Sequence, residues 1–280
     1  MTARIFDARI CALGEGPFWH PIRKQLFWFD ILGNRLLSRA GDAPLEWQFD
    51  EHVSAAGWID ADRLLIASET GLMRLDLRSG ESDRLIGLEE QDPQTRSNDG
   101  RADPWGGFWI GTMGKNAQAH AGAIYRFYQG TMHRLFGQIT IPNAICFSPD
   151  RAFAYFTDTV TQVVLRQRLD KDGWPKGAAA PFVDLTGQGL NPDGAVVDKE
   201  GCLWIAQWGA SRLARYGADG SFLSSIDLPA SQITCPAFGG DDLKTLYVTS
   251  AAIGANETDA GKTFLGQTAV AGQQEHQVIL

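Results

Sequence analysis

Four oxygen-bearing side chains recur in one kind of local setting: Glu15 in Gly14-Glu15-Gly16-Pro17, Asn98 in Ser97-Asn98-Asp99-Gly100, Asn143 in Pro142-Asn143-Ala144, and Asp193 in Pro192-Asp193-Gly194. Each stands just before a short apolar run that ends in a turn. Singly, each is an ordinary turn residue. Together they form an all-oxygen set of two carboxylates and two amides, which suits Ca²⁺, Mg²⁺ or Mn²⁺, with Zn²⁺ or Fe²⁺ plus waters also compatible. Two bare carboxylates face to face raise each other's pKa, and a cation is the simplest means of keeping both ionised. So few protein ligands leave open positions, as catalysis at a metal requires. Arg96 lies two residues before Asn98 and projects to the same side of an extended chain. Beside such a cluster its guanidinium reads as a donor to substrate oxygens or as a partner for Asp99.

Residues this far apart in sequence meet only if the chain repeats. The stretch Leu190 to Ala206 gives the unit: an acidic residue in a Pro/Gly frame, a β-branched strand, a turn at Asp198 to Gly201, and a second strand centred on Trp204. The same unit leads from Glu15 to Phe27-Trp28-Phe29, from Ser54 to Leu64-Leu65-Ile66, and from Asn98 to Phe108-Trp109-Ile110. It returns from Asn143 to Tyr155-Phe156-Thr157 and from Cys235 to Leu246-Tyr247-Val248. A spacing of roughly 40 to 48 residues is that of propeller blades. The expected fold is all-β, a six-bladed β-propeller with a central metal channel, forming a single domain over residues 1–280. The first strand of each blade lines the channel, so equivalent positions lie at one depth around one axis.

Other stretches fill in this plan. Ile5 to Leu13 is an extended segment able to complete the last blade and close the ring. Ser54-Ala55-Ala56 places small residues where other blades carry Glu, Asp or Asn, as a pocket wall would. Residues 114–122 exceed what a hairpin needs and are a lid candidate, with His120 the one histidine in it and no evident partner. Cys235 occupies the sixth position, where a soft thiol is a poor ligand beside hard oxygens. Ala251 to Lys262 reads as surface loop, and Gly266 to Leu280 as outer strands.

A net charge of -8 argues against nucleic acid or anionic membrane as partner. No apolar run reaches membrane-span length and Met1-Thr2-Ala3-Arg4-Ile5-Phe6 has no signal-peptide core, so the expected location is cytoplasmic. The 4 cysteines lack CxxC spacing and read as buried free thiols. The expected state is a monomer or weak homo-oligomer.

Several motifs in order resemble the SMP-30/gluconolactonase/regucalcin family: Gly14-Glu15-Gly16-Pro17, Asn98 to Pro104 with Gly111-Thr112-Met113, Pro142-Asn143, Pro192-Asp193-Gly194, and Phe238-Gly239-Gly240 before Leu246-Tyr247-Val248-Thr249. The resemblance runs from about Leu13 to Ser250. It implies one divalent metal (Ca²⁺, Zn²⁺, Mn²⁺, Mg²⁺ or Fe²⁺) held by residues matching Glu15, Asn143 and Asp193. Arg96 and Asn98 match the family's substrate-contacting positions. The implied activity is hydrolysis of small-molecule sugar lactones such as glucono-, xylono- or arabinonolactone, the metal polarising the carbonyl while an activated water attacks. Asp193 is the candidate catalytic residue that orients or deprotonates that water. The sequence departs from the family at Ala144, where glycine is common, and in a lid segment without the acidic residue some relatives carry. Two rival readings remain: a metal-dependent organophosphatase or arylesterase of the same architecture, and a non-enzymatic calcium-binding propeller.

Overall fold

Burial along each unit falls from one strand to the next, and that gradient organises the molecule. In the first unit Gln25–Asp30 is buried at every position, whereas Ala43–Gln48 alternates between exposed and half-buried. A strand covered on both faces reads as a continuous apolar run; one at the rim does not. The computed structural model describes residues 3–280 and arranges them as a β-propeller of six four-stranded antiparallel sheets. Blade one runs from hub to rim through Gly14–His20, Gln25–Asp30, Arg35–Ala40 and Ala43–Gln48. Blades two to five begin at the hub with Val53–Trp58, Thr95–Ala102, Pro142–Phe147 and Asn191–Val197. Blade six takes Ile233–Gly239, Thr245–Ser250 and Thr263–Gln267, and its outermost strand is Arg4–Asp7 from the other end of the chain.

The core is divided among the blade interfaces. One apolar cluster joins each neighbouring pair, such as Phe27, Phe29, Leu64 and Ile66 between blades one and two, and Trp109, Ile124, Phe147 and Phe156 between three and four. The closing interface, between six and one, holds fewer buried residues and relies on aromatic contacts. Phe6 meets Trp28 and Tyr247 edge-on, and Trp19 stacks on Tyr247. Arg4 pairs with Leu265 and Ile5 with Phe264, so the N-terminal segment closes the ring as expected.

The tail differs from expectation. Only Thr263–Gln267 is a strand; the rest crosses the far end of the channel. Gln273 donates to the carbonyls of Phe147 and Val197, Gln277 to that of Ile59, and the indole N–H of Trp58 donates to Glu275 O. Glu275 forms an ion pair with Arg101, and Val278 joins the cluster between blades two and three. The four cysteines are buried and free. Among the described residues no helix is long and apolar enough to cross a membrane.

All six innermost strands break register near their start, between Glu15 and Phe18, Val53 and Ala55, Ser97 and Gly100, Asn143 and Cys146, Pro192 and Ala195, and Ile233 and Pro236. A bulge bends its strand and re-aims the side chains beside it. A ring of them at one depth turns side chains into the channel mouth.

Candidate functional site

Glu15, Arg96, Asn98, Asn143 and Asp193 all line one cavity of about 360 Å³ at that mouth. The volume suits a small molecule. Their registers differ by one residue: Glu15 and Asn143 are the last paired residues before their bulges, while Asn98 and Asp193 stand inside theirs. Gly16 and Ala144 follow Glu15 and Asn143 with φ of 52° and 57°. That shared left-handed turn explains why glycine suits position 144, and Ala144 occupies it under strain. Gly194 is required for another reason, since a Cβ there would lie 2.3 Å from Cys235 Sγ.

Glu15 and Asp193 are only 5% and 6% exposed. Burial raises both carboxyls well above the ordinary range, and negative neighbours, Asp99 for Glu15 and both Glu15 and Asp99 for Asp193, add to it. Both shifts run toward the neutral acid, so the pair favours protonation when no cation is present. Asp99, deeper in the channel, accepts from Ile145 N at 2.7 Å, and its burial pushes it up to about 6. Burial brings Arg96 down to about 10 against the favourable charge of Glu15.

Arg96 does not pair with Asp99. Its Nη1 donates to Asn98 Oδ1 at 2.9 Å and to Ser97 O at 2.8 Å. Both amide hydrogens of Asn98 are committed, to Pro142 O and Asn143 Oδ1, each at 3.0 Å. Asn143 Nδ2 in turn donates to Thr159 Oγ1 at 2.9 Å. The amide oxygen of Asn143 keeps a second lone pair.

Two other expectations change. No residue of blade two lines the cavity; Ser54 donates instead to Ser97 Oγ at 2.8 Å. Of the lid candidate and its approach, only Met113 lines the cavity, and residues 114–122 are fastened elsewhere. Lys115 is ion-paired with Glu69, and His120 N donates to Thr140 Oγ1. Conversely, Leu13, Ile141, Thr159, Val160, Asn191 and Trp208 line the cavity without having been singled out. They lie at strand ends and loops at the mouth, and only the spacing of the repeat, applied to second strands as well as first, would have found Trp208.

The donor set can be tested against a divalent cation. Among the described residues no three His, Cys, Asp or Glu side chains converge as a metal cluster. The set available is two carboxylates with one amide oxygen, and it fits a hard cation on chemical grounds. Burial and neighbouring carboxylates make positive charge favourable beside Glu15 and Asp193, and Asn143 is held by its neighbours with a lone pair of its oxygen available.

The sequence model of a family described as SMP-30/Gluconolactonase/LRE-like region matches residues 13–252. An L-arabinolactonase from Azospirillum brasilense is 38% identical over 276 residues, covering 93% of this chain and 90% of its own. A 6-deoxy-6-sulfogluconolactonase from Pseudomonas putida is 37% identical over 243 residues, covering 85% of this chain and 83% of its own. The crystal structure of a calcium-binding protein, regucalcin, from Agrobacterium tumefaciens superposes with a TM-score of 0.97 at 38% identity, covering 100% of this chain and 98% of that one.

Proposed function

The chain belongs to the SMP-30/gluconolactonase/LRE-like family, and from that premise we propose that it is a divalent-metal-dependent lactonase acting on sugar-acid lactones such as glucono-, xylono- or arabinonolactone. One observation carries the reading: two buried carboxylates, Glu15 and Asp193, line one cavity sized for a small molecule together with the amide of Asn143. Glu15, Asn143 and Asp193 are the residues that would hold the ion. When bound, a divalent ion supplies polarisation of an ester carbonyl and a lowered pKa for water. The remaining work falls to side chains of this chain. Asp193, in its ionised form, is the group assigned to orient the attacking water and accept its proton. Arg96 commits only Nη1 to the protein, leaving Nε and Nη2 to donate to ring hydroxyls. Asn98 holds Asn143 in place and offers a substrate hydroxyl the remaining lone pair of its Oδ1. Attack on the lactone carbonyl carbon breaks the ring C–O bond, and the ring oxygen leaves as the hydroxyl of the open-chain acid by taking up the proton that Asp193 accepted from the water.

A second reading keeps support from the apolar part of the cavity lining. Leu13, Met113, Ile141, Val160 and Trp208 present apolar surface, which would accept an aryl ester or a phosphotriester. Both readings are tested in one series: strip divalent ions with chelator, restore each ion singly, and follow acid release from aldonolactones, aryl esters and phosphotriesters against spontaneous hydrolysis. Lactone opening that stops on chelation, returns with one or more ions, and falls to the uncatalysed rate in Asp193→Ala is the expected result. Full activity in either the chelated protein or that variant would reject the assignment.

A further inference from the structure

The amide of Asn143 has two unlike ends, and only its oxygen can ligate a cation. Its neighbours decide which end faces the channel. A hydrogen-bonded series runs from Arg96 Nη1 to Asn98 Oδ1, from Asn98 Nδ2 to Asn143 Oδ1, from Asn143 Nδ2 to Thr159 Oγ1, and from the Thr159 hydroxyl to Pro192 O at 2.8 Å. A guanidinium only donates and a carbonyl only accepts, so every link between those ends has one possible polarity. The series spans blades three, four and five and ends at the residue before Asp193.

We propose that Thr159 is a positioning residue of the cation site, fixing the Asn143 amide with its oxygen toward the channel and tying it to the strand that carries Asp193. This rests on the reading that Asn143 supplies an oxygen to a divalent ion. Thr159 opens the 3₁₀ turn Thr159–Thr161, and its backbone N is held by Ile141 O at 2.9 Å, so the hydroxyl is placed by backbone on two sides. Without that hydroxyl, Asn143 Nδ2 loses its acceptor while Asn98 still donates to Oδ1, and the amide plane is free to swing. A serine keeps both the acceptor and the donor; a valine of nearly the same shape keeps neither. Ligands oriented by such outer partners hold metal more tightly than free ones.

The test is calorimetric titration of Mn²⁺ into chelator-stripped wild type, Thr159→Val, Thr159→Ser and Asn143→Ala, with a thermal melt of each metal-free protein. Thr159→Val is expected to weaken Mn²⁺ binding by about 10- to 100-fold, and Thr159→Ser by less than about threefold, with metal-free melts close to wild type. Thr159→Ala replaces the valine variant if that protein does not fold. Wild-type affinity in Thr159→Val together with lost affinity in Asn143→Ala would overturn the positioning role and leave the site reading intact. A wild type that binds no Mn²⁺, Ca²⁺, Zn²⁺, Mg²⁺ or Fe²⁺ would overturn both.

Discussion

At the scale of single residues, the site is a place where negative charge is confined before any cation arrives. Burial first, then neighbouring carboxylates, raise Glu15 and Asp193 in the folded protein above their unfolded values of about 4. A carboxyl whose folded pKa is raised favours the folded state fully below its unfolded pKa, and that contribution is lost as pH rises through the folded value. The chelated protein should therefore melt at lower temperature at pH 9 than at pH 6, whereas saturating divalent ion should abolish or reverse the trend. Affinity for the ion should rise over the same range, because carboxyl ligands must be deprotonated to bind it. A metal-free melt independent of pH would contradict the charge confinement. Glu15→Gln removes one of the repelling charges, and should stabilise the metal-free protein at pH 9 by about 1 kcal/mol or more while abolishing ion binding. Equal melts for the variant and wild type at that pH would show that the two acids do not oppose each other. Sequence made Glu15, Asn98, Asn143 and Asp193 legible because each carries its own Pro or Gly frame. Thr159 is not legible in the sequence, since its role arises from a bond network that reaches blades three and five.

At the scale of elements, the bulges at the head of the innermost strands aim the site, and no composition rule reports them. Ala144, a non-glycine residue at φ 57°, marks one of them by its backbone and not by its type. The second strands are legible in the sequence, because Phe27-Trp28-Phe29 and Phe108-Trp109-Ile110 are continuous apolar runs that the fold buries completely. The N-terminal strand is the weak link of the ring. Phe6 fastens it by contacts with Trp28 and Tyr247, and Arg9 adds bonds to Ser38 O and Leu45 O. Phe6→Ala should cost about 3 kcal/mol by denaturant unfolding, and removal of residues 1–9 should expose the Thr263–Gln267 edge and promote association. A truncated protein as stable and monodisperse as the full chain would show that blade six closes without it.

At the scale of the whole molecule, the channel has two unlike ends. The mouth carries the site; the far end is crossed by residues 271–279, whose contacts reach blades two through six. The strap, in which Ala271, Gly272 and three glutamines precede or flank Glu275, His276, Val278 and Ile279, has no period of its own, so sequence alone suggests outer strands. Its course is set by carbonyls that other strands offer at the channel floor. Burial works against the charge of Arg101, and Glu275, together with Cys235, Asp99 and Cys146, more than offsets it. Glu275→Gln should thus destabilise the fold by about 3 kcal/mol, the cost of leaving a buried charge short of its partner, with little change in ion affinity at the other end. Lost ion affinity in that variant without lost stability would mean the two ends are coupled.

The most direct measurement is the anomalous difference map of a crystal soaked in Mn²⁺. The expected result is a single strong peak in the channel mouth within about 2.1–2.5 Å of carboxylate oxygens of Glu15 and Asp193 and of Asn143 Oδ1. A map with no peak among those three residues, from crystals of protein that opens lactones only when a divalent ion is present, would contradict the assignment of the site.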